Sequence, residues 1–204
     1  MKQKIKIYIY MVGFTFGICI MLVAIFSKYI NVAVKGMSYI ASNTKDFTYV
    51  NGNTIDGKYS ITIDLNNLDS NIGKELYNDG ENIIYVNLVD NTGNINTGGY
   101  RIHFRSSGKY SLDHAELISG VIHSYAENDL YDQKIYAKMT AEYNNKIYKC
   151  NEMGTTGVSY KDGDGFSFYI FPDEAYKNNK ISLNETGIVK ITATDLYKNI
   201  WLKN

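Results

Sequence analysis

An all-β architecture, an antiparallel β-sandwich carried behind an N-terminal transmembrane helix, is what three observations lead one to expect. Ile7 to Phe26 (IYIYMVGFTFGICIMLVAIF) is a run of twenty residues without a charge. Beyond residue 56 the apolar residues recur with period two rather than with the 3.6 of a helix. Gly, Asn and Asp punctuate these stretches at short intervals, where turns between strands are needed.

The helix comes first. At about 1.5 Å per residue such a run makes a rod of roughly 30 Å, the thickness of a bilayer's hydrocarbon core. A cleaved signal peptide usually has a shorter apolar core that ends in small residues. Here Ser27-Lys28-Tyr29-Ile30-Asn31-Val32 follows instead. A lipobox needs a small residue directly before its cysteine, and Ile18 precedes Cys19. Lys2, Lys4 and Lys6 lie before the run, and Lys28, Lys35 and Lys45 are spread after it. The positive-inside tendency therefore puts the N-terminus in the cytoplasm. The expected organisation is a cytoplasmic tail (1–6), a transmembrane helix (7–26), a stalk or linker (27–55) and an extracytoplasmic β-sandwich (56–204). Gly13 and Gly17 form a G-x-x-x-G pattern that would let two such helices dimerise; glycine is also simply common in membrane helices.

Past the membrane, Ile30, Val34, Met37 and Ala41 recur at helical spacing, which predicts that the helix runs on as a short stalk. Asn51-Gly52-Asn53 should break it, and Asp56-Gly57 should make a turn. The strands follow. Ile61, Ile63 and Leu65 alternate with polar residues; Ile83 to Val89 is apolar on both faces; Tyr100, Ile102 and Phe104 alternate with Arg101, His103 and Arg105. Leu117 to Tyr125 is a further apolar stretch, and Ile135 to Tyr143 reads as one long strand. Asn144-Asn145 then predicts a two-residue hairpin into Lys146–Cys150. Asp162-Gly163-Asp164-Gly165 reads as a turn into Phe166–Phe171, and Ile188 to Asp195 as the last clear strand. Helical turns are expected around Ser111–Leu117 and after Pro172. The sum is about eight or nine short strands, the pattern of a sandwich or barrel.

Composition narrows the function. The chain has 21 basic and 21 acidic residues, but from residue 31 onward the balance is 17 to 21. With only Arg101 and Arg105 as arginines, no basic field is present to hold nucleic acid. Cys19 in the membrane run and Cys150 in the body cannot meet, so no disulfide framework forms within the chain, although Cys150 could pair between molecules. About 150 residues suffice for an ordinary core. Asn (22), Tyr (19), Ile and Lys share AT-rich codons, which points to an AT-rich genome such as that of a low-GC Gram-positive bacterium.

The residues Leu183-Asn-Glu-Thr-Gly-Ile-Val-Lys-Ile-Thr-Ala-Thr-Asp-Leu-Tyr-Lys-Asn199 resemble the closing strand of bacterial surface immunoglobulin-like domains. In those, a turn ending in Gly leads into an alternating strand, then A-T-D, then a short turn with Asn. Tyr143-Asn-Asn-Lys-Ile-Tyr148 resembles the small hairpin that such domains carry earlier. Lys198 stands where family members usually have Gly. The resemblance implies an immunoglobulin-like sandwich serving as an adhesive or spacer module, without catalytic residues.

Each candidate for chemistry lacks part of its set. His114-Ala115-Glu116 has the H-x-E spacing of zinc deaminases but no P-C-x-x-C to complete the metal shell. His103, His114 and His123 are not spaced to share a strand face, so no metal ligands are expected among them. Asp162-x-Asp164-Gly165 is a fragment of a calcium loop without its distal Glu. Cys150, at a strand end with histidines upstream, resembles the nucleophile of Gram-positive sortases, which are N-terminally anchored β-barrels. However, the T-L-x-T-C signature is absent and no Arg follows Cys150 to stabilise an oxyanion. Gly13-Phe14-Thr15-Phe16 is similar to the cleavage site of type IV prepilins, with Ile18 in place of their Glu. Phe166, Phe168 and Ile170, backed by Tyr169 and Phe171, read as core, with a partner-binding face as the lesser reading. Asn184-Glu185-Thr186 is a formal glycosylation sequon that means little in a bacterium.

The expected function is that of a membrane-anchored extracytoplasmic domain with a binding, adhesive or structural role. No catalytic, cofactor-binding or metal-binding residue is assigned. The expected partners are the bilayer through residues 7–26, a protein at the cell envelope, and a second copy through Gly13 and Gly17, with no nucleic acid. Two other readings stay open at this point: a pilin-like or pseudopilin assembly subunit, and a sortase-like thiol enzyme.

Overall fold

A computed structural model describes residues 2–125 and 131–204. Strand makes up 48% of the chain and helix 23%, and most of the helix is one element, so the body is all-β. That element is α1 (Lys2–Lys35), followed by α2 (Met37–Ser42). Then come β1 (Phe47–Ile55), β2 (Tyr59–Asp64), β3 (Glu75–Asn78), β4 (Ile83–Asn91) and β5 (Tyr100–Ser107). Next are β6 (Lys109–Tyr110), β7 (His114–Ser119), β8 (Val121–Tyr125), β9 (Tyr131–Ile135), β10 (Lys138–Tyr143) and β11 (Lys146–Lys149). β12 (Asn151–Thr155), β13 (Gly163–Tyr169), α3 (Asp173–Lys177), β14 (Ile188–Thr194) and β15 (Leu196–Lys203) complete the order.

The strands form four antiparallel sheets among the described residues: β1-β15-β7-β6, β11-β10-β14-β2, β12-β13-β5-β4-β3 and the pair β8-β9. Period-two alternation builds the core. On β5, Tyr100, Ile102 and Phe104 point in while Arg101, His103 and Arg105 point out. The second and third sheets face each other across one apolar cluster that takes Ile63, Ala141 and Ile191 from one side and Ile102, Phe104 and Phe166 from the other. Burying each such large side chain contributes about 1.5–3 kcal/mol. A smaller cluster seats α2 on the first sheet: Met37, Ile40 and Ala41 pack with Phe47, Leu117 and Trp201.

Several strands lie where the pattern puts them, and the two-residue hairpin is present, with Asn144 and Asn145 at φ 49° and 58°. Others differ. Residues 47–55, expected within the stalk, form β1, which pairs with β15 along its length. Asn51-Gly52 produces a bulge there, a register shift between Val50 and Asn53, rather than an end. The long strand over Ile135–Tyr143 is divided into β9 and β10, because the backbone N–H groups of Tyr136 and Ala137 both turn to the carbonyl of Gly120. Leu117–Tyr125 is divided in the same place, at Gly120, where a side chain would meet the Phe166 ring at 2.6 Å. The turn expected over Asp162–Gly165 is already strand, since β13 begins at Gly163 and pairs with β5. The helical turn expected around Ser111–Leu117 is the start of β7 instead, whereas α3 does follow Pro172. Ile83–Val89 is buried on one face only, and Leu88 is exposed beside a bulge.

The helical face expected over Ile30, Val34, Met37 and Ala41 is split. Ile30 and Val34 are exposed on α1, whereas Met37 and Ala41 are buried on α2. Gly36 separates them at φ 57°, and a Cβ there would lie 2.2 Å from the Lys161 carbonyl oxygen. That carbonyl instead accepts the Met37 N–H at 2.7 Å, docking the helix junction on the body. Among the described residues no single helix is long and apolar enough to cross a membrane; Tyr10–Val23 and Phe26–Lys35, inclined by 50°, pass such a test together. The side chains of Lys2, Lys4 and Lys6, on which the expected orientation rests, lie outside the described residues.

Candidate functional site

The densest polar chemistry lies in the interior. Asp164 of β13, Ser119 at the end of β7, His123 of β8 and Asn199 of β15 are all buried. Alternation explains Asp164: it occupies an inward position of β13, two residues before Phe166. The bend at Gly120 brings Ser119 and His123 to it from two successive strands.

His123 Nε2 lies 2.7 Å from Asp164 Oδ2 and donates to it, since a carboxylate only accepts. Ser119 Oγ lies 2.7 and 2.9 Å from the two carboxylate oxygens, and itself accepts from Ser106 Oγ and from the Val121 N–H. Asn199 Oδ1 accepts from the His123 N–H and from Tyr49 Oη, while its Nδ2 donates to the Val121 carbonyl at 2.9 Å. Trp201 closes the group, its ring centroid 5.9 Å from that of His123.

The residue types are those of a nucleophilic triad, but the order is wrong for one. In a triad the histidine stands between hydroxyl and carboxylate and takes the hydroxyl proton. Here Asp164 stands in the middle, so the Ser119 proton points at a carboxylate and the imidazole is on the far side. The side chains of His123 and Asp164 are 1% and 0% exposed, which leaves a substrate no approach. The arrangement ties β5, β7, β8, β13 and β15 together, each charge-assisted bond contributing about 1.5–3 kcal/mol. Sequence reading singled out His123 and Asp164 separately and for metals. Ser119 and Asn199 were missed; the signal available for Ser119 and His123 was their polar character inside the apolar stretch Leu117–Tyr125.

The other singled-out residues are kept apart. His103 Nδ1 bonds Ser167 Oγ at 2.8 Å, and burial holds its pKa below the ordinary 6.5. His114 sits at the surface beside Ser111 and Asp113, and Glu116 pairs with Lys198 at 2.8 Å. Among the described residues no group of three or more His, Cys, Asp and Glu side chains is placed to hold a metal ion. Asp162, just before β13, is half-buried, whereas Asp164 is fully inside. Asp162 accepts from Arg105 at 2.6 Å and Ser107 at 2.8 Å. Burial works to raise its pKa, but these bonds outweigh it and hold the carboxyl below the usual range.

Cys150 is buried, and its thiol lies 3.3 Å from the Ile170 carbonyl, to which it donates. Burial pushes the thiol up to about 12, away from the thiolate that nucleophilic chemistry needs. The imidazoles of His103, His114 and His123 bond Ser167, Ser111 and Asp164 respectively. Phe166, Phe168, Ile170 and Phe171 are all fully buried, which makes this strand core and removes it as a partner-binding face. Gly13 and Gly17 have open space around them.

The surface that does stand free is the outward side of β11-β10-β14-β2. It is hydroxyl-rich: Thr140, Thr192 and Ser60 face one another across three strands, with Ser60 and Thr192 oxygens 2.8 Å apart. Ile147 and Ile188 stand on it 74% and 55% exposed. Compared with family models, with curated proteins and with solved structures, the chain matches none.

Proposed function

We propose that the protein is a single-pass membrane protein whose extracytoplasmic β-body, an immunoglobulin-like sandwich, has a binding or structural role at the bacterial cell surface. One observation carries this reading. Every side chain from Tyr10 to Val23 is exposed, including Tyr10, Met11, Val12, Phe14 and Phe16 at 60% or more, whereas the β-body buries most of its own large apolar residues. Fourteen consecutive residues, mostly apolar, that nothing among the described residues of the body covers are too costly to leave in water, and together with Ile7–Ile9 and the residues up to Phe26 they are long enough to cross lipid. Residues 7–26 cross the bilayer, with the N-terminal lysines on the cytoplasmic side. Gly13 and Gly17 offer a close approach to a second copy in the membrane.

The interior Ser119–Asp164–His123 group and the sealed Cys150 both support a non-catalytic role, because each is out of a substrate's reach. The partner at the envelope meets the outward side of β11-β10-β14-β2, where Ile147 and Ile188 stand exposed. The test is fractionation of the full chain with a Glu152→Cys label site on β12, an exposed position outside the sheet assigned to the partner. The expected result is retention in membranes washed at alkaline pH, release by detergent, and labelling of the introduced thiol by an impermeant maleimide in intact cells. Recovery of the uncleaved chain in the soluble fraction without detergent overturns the proposal.

A further inference from the structure

The second segment of α1 carries a surface that an anchor alone does not account for. Phe26, Tyr29, Ile30, Ala33 and Val34 are exposed, whereas Val32 is buried against the body. At 3.6 residues per turn those five fall within an arc of about 140°, and Lys28, Val32 and Lys35 lie on the other side. The inner side is fastened: Lys28 Nζ lies 2.5 Å from Asp46 Oδ1, and Val32 packs in the cluster with Met37, Phe47 and Trp201. The outer side is an apolar stripe that nothing among the described residues covers, and it continues the apolar run of the first segment across an inclination of 50°.

We infer that this stripe lies in the headgroup layer of the same bilayer that residues 7–26 cross, so that the β-body rests on the lipid surface instead of standing off on a stalk. The inference rests on the anchored reading. Its occupant is the phospholipid bilayer itself, for three reasons. The stripe is covalently continuous with the proposed span and begins at its last residue, Phe26. It has the composition of an interfacial helix, with apolar side chains and a tyrosine on one face and lysines on the other. The body also has little slack with which to leave: Val32, six residues past Phe26, packs in the body's cluster, and the Met37 N–H bonds the Lys161 carbonyl at 2.7 Å.

The experiment places nitroxide labels on the full chain in liposomes of phosphatidylcholine and phosphatidylglycerol, in a Cys19→Ser background that leaves buried Cys150 in place. The labelled variants are Met21→Cys, Val34→Cys and Ile147→Cys, all at exposed positions, and Trp201 fluorescence reports that each is folded. The readout is collision with oxygen, which concentrates in lipid, relative to collision with a water-soluble nickel chelate. The expected order is Met21 highest, Val34 several-fold above Ile147, and Ile147 at the value for a water-exposed site. A Val34 label equal to the Ile147 label while Met21 stays high overturns the seating and leaves the anchor standing. A Met21 label that is also water-like overturns both.

Discussion

Replacing Asp164 by alanine removes the centre of the interior polar group and leaves the surrounding protein to pay for it. The His123 N–H and the Ser119 hydroxyl both lose their acceptor, at 2.7 Å in each case, in a place no water reaches from the surface. Two charge-assisted bonds at about 1.5–3 kcal/mol each set the scale, and breaking a buried pair by removing one partner typically costs about 3–5 kcal/mol. Asp164→Ala is therefore expected to lose about 4 kcal/mol, and Asp164→Asn, which keeps one acceptor, less. Asp162→Ala is the control: the same residue type two positions away, partly exposed, where a surface ion pair contributes about 0–1 kcal/mol. Urea unfolding of the full chain in detergent micelles, followed by fluorescence of the only tryptophan, reads the difference. With a slope of about 2 kcal/mol per M the Asp164→Ala midpoint falls by about 2 M. A midpoint within about 0.5 M of the Asp162→Ala control would refute the assignment of Asp164 as the hub.

Three further outcomes follow from the same structure. Burial depresses the His103 pKa below 6.5, so its neutral form is favoured in the fold; stability is fully present above pH 6.5 and declines as pH falls below it, and His103→Gln flattens that part of the stability–pH profile. Trp201→Ala costs about 3–5 kcal/mol by opening a cavity; Trp201→Phe costs clearly less, because the buried indole N–H has no hydrogen-bond partner to lose, and thermal unfolding of the two variants compares them. Cys150 stays unmodified by iodoacetamide at neutral pH until denaturant is added, as intact-mass measurement will show; rapid labelling of the native chain at Cys150 would revive a thiol mechanism.

What could be read from the chain depended on whether local pattern or distant pairing decided the outcome. β5 was legible because its alternation is uninterrupted, and the Asn144-Asn145 hairpin because two left-handed residues in a row suit asparagine. β1 was not, since Thr, Tyr, Asn and Gly alternate with little apolar contrast, and its place comes from pairing with β15 some 150 residues away. The split at Gly120 goes with the close approach of the Phe166 ring, and that at Tyr136 with two N–H groups turned to the Gly120 carbonyl, neither of which a local window contains. The end of the stalk at Gly36 is of the same kind: the helical spacing continues through it, and the Lys161 carbonyl decides. The polar group was half visible. His123 and Asp164 are conspicuous residue types, but that Ser119 and Asn199 join them follows from sheet register alone.

The pairing of β1 with β15 also bears on how the body is made. Phe47 stands opposite Lys203, and β15 in turn is what holds β7 to β1. A ribosome must therefore have passed Lys203 before this sheet can assemble, and until then β1 waits as a bare edge a few residues from its helix. Maturation of that layer waits on β15, and a nascent chain stopped short of it would expose the seats of Trp201 and Asn199 together.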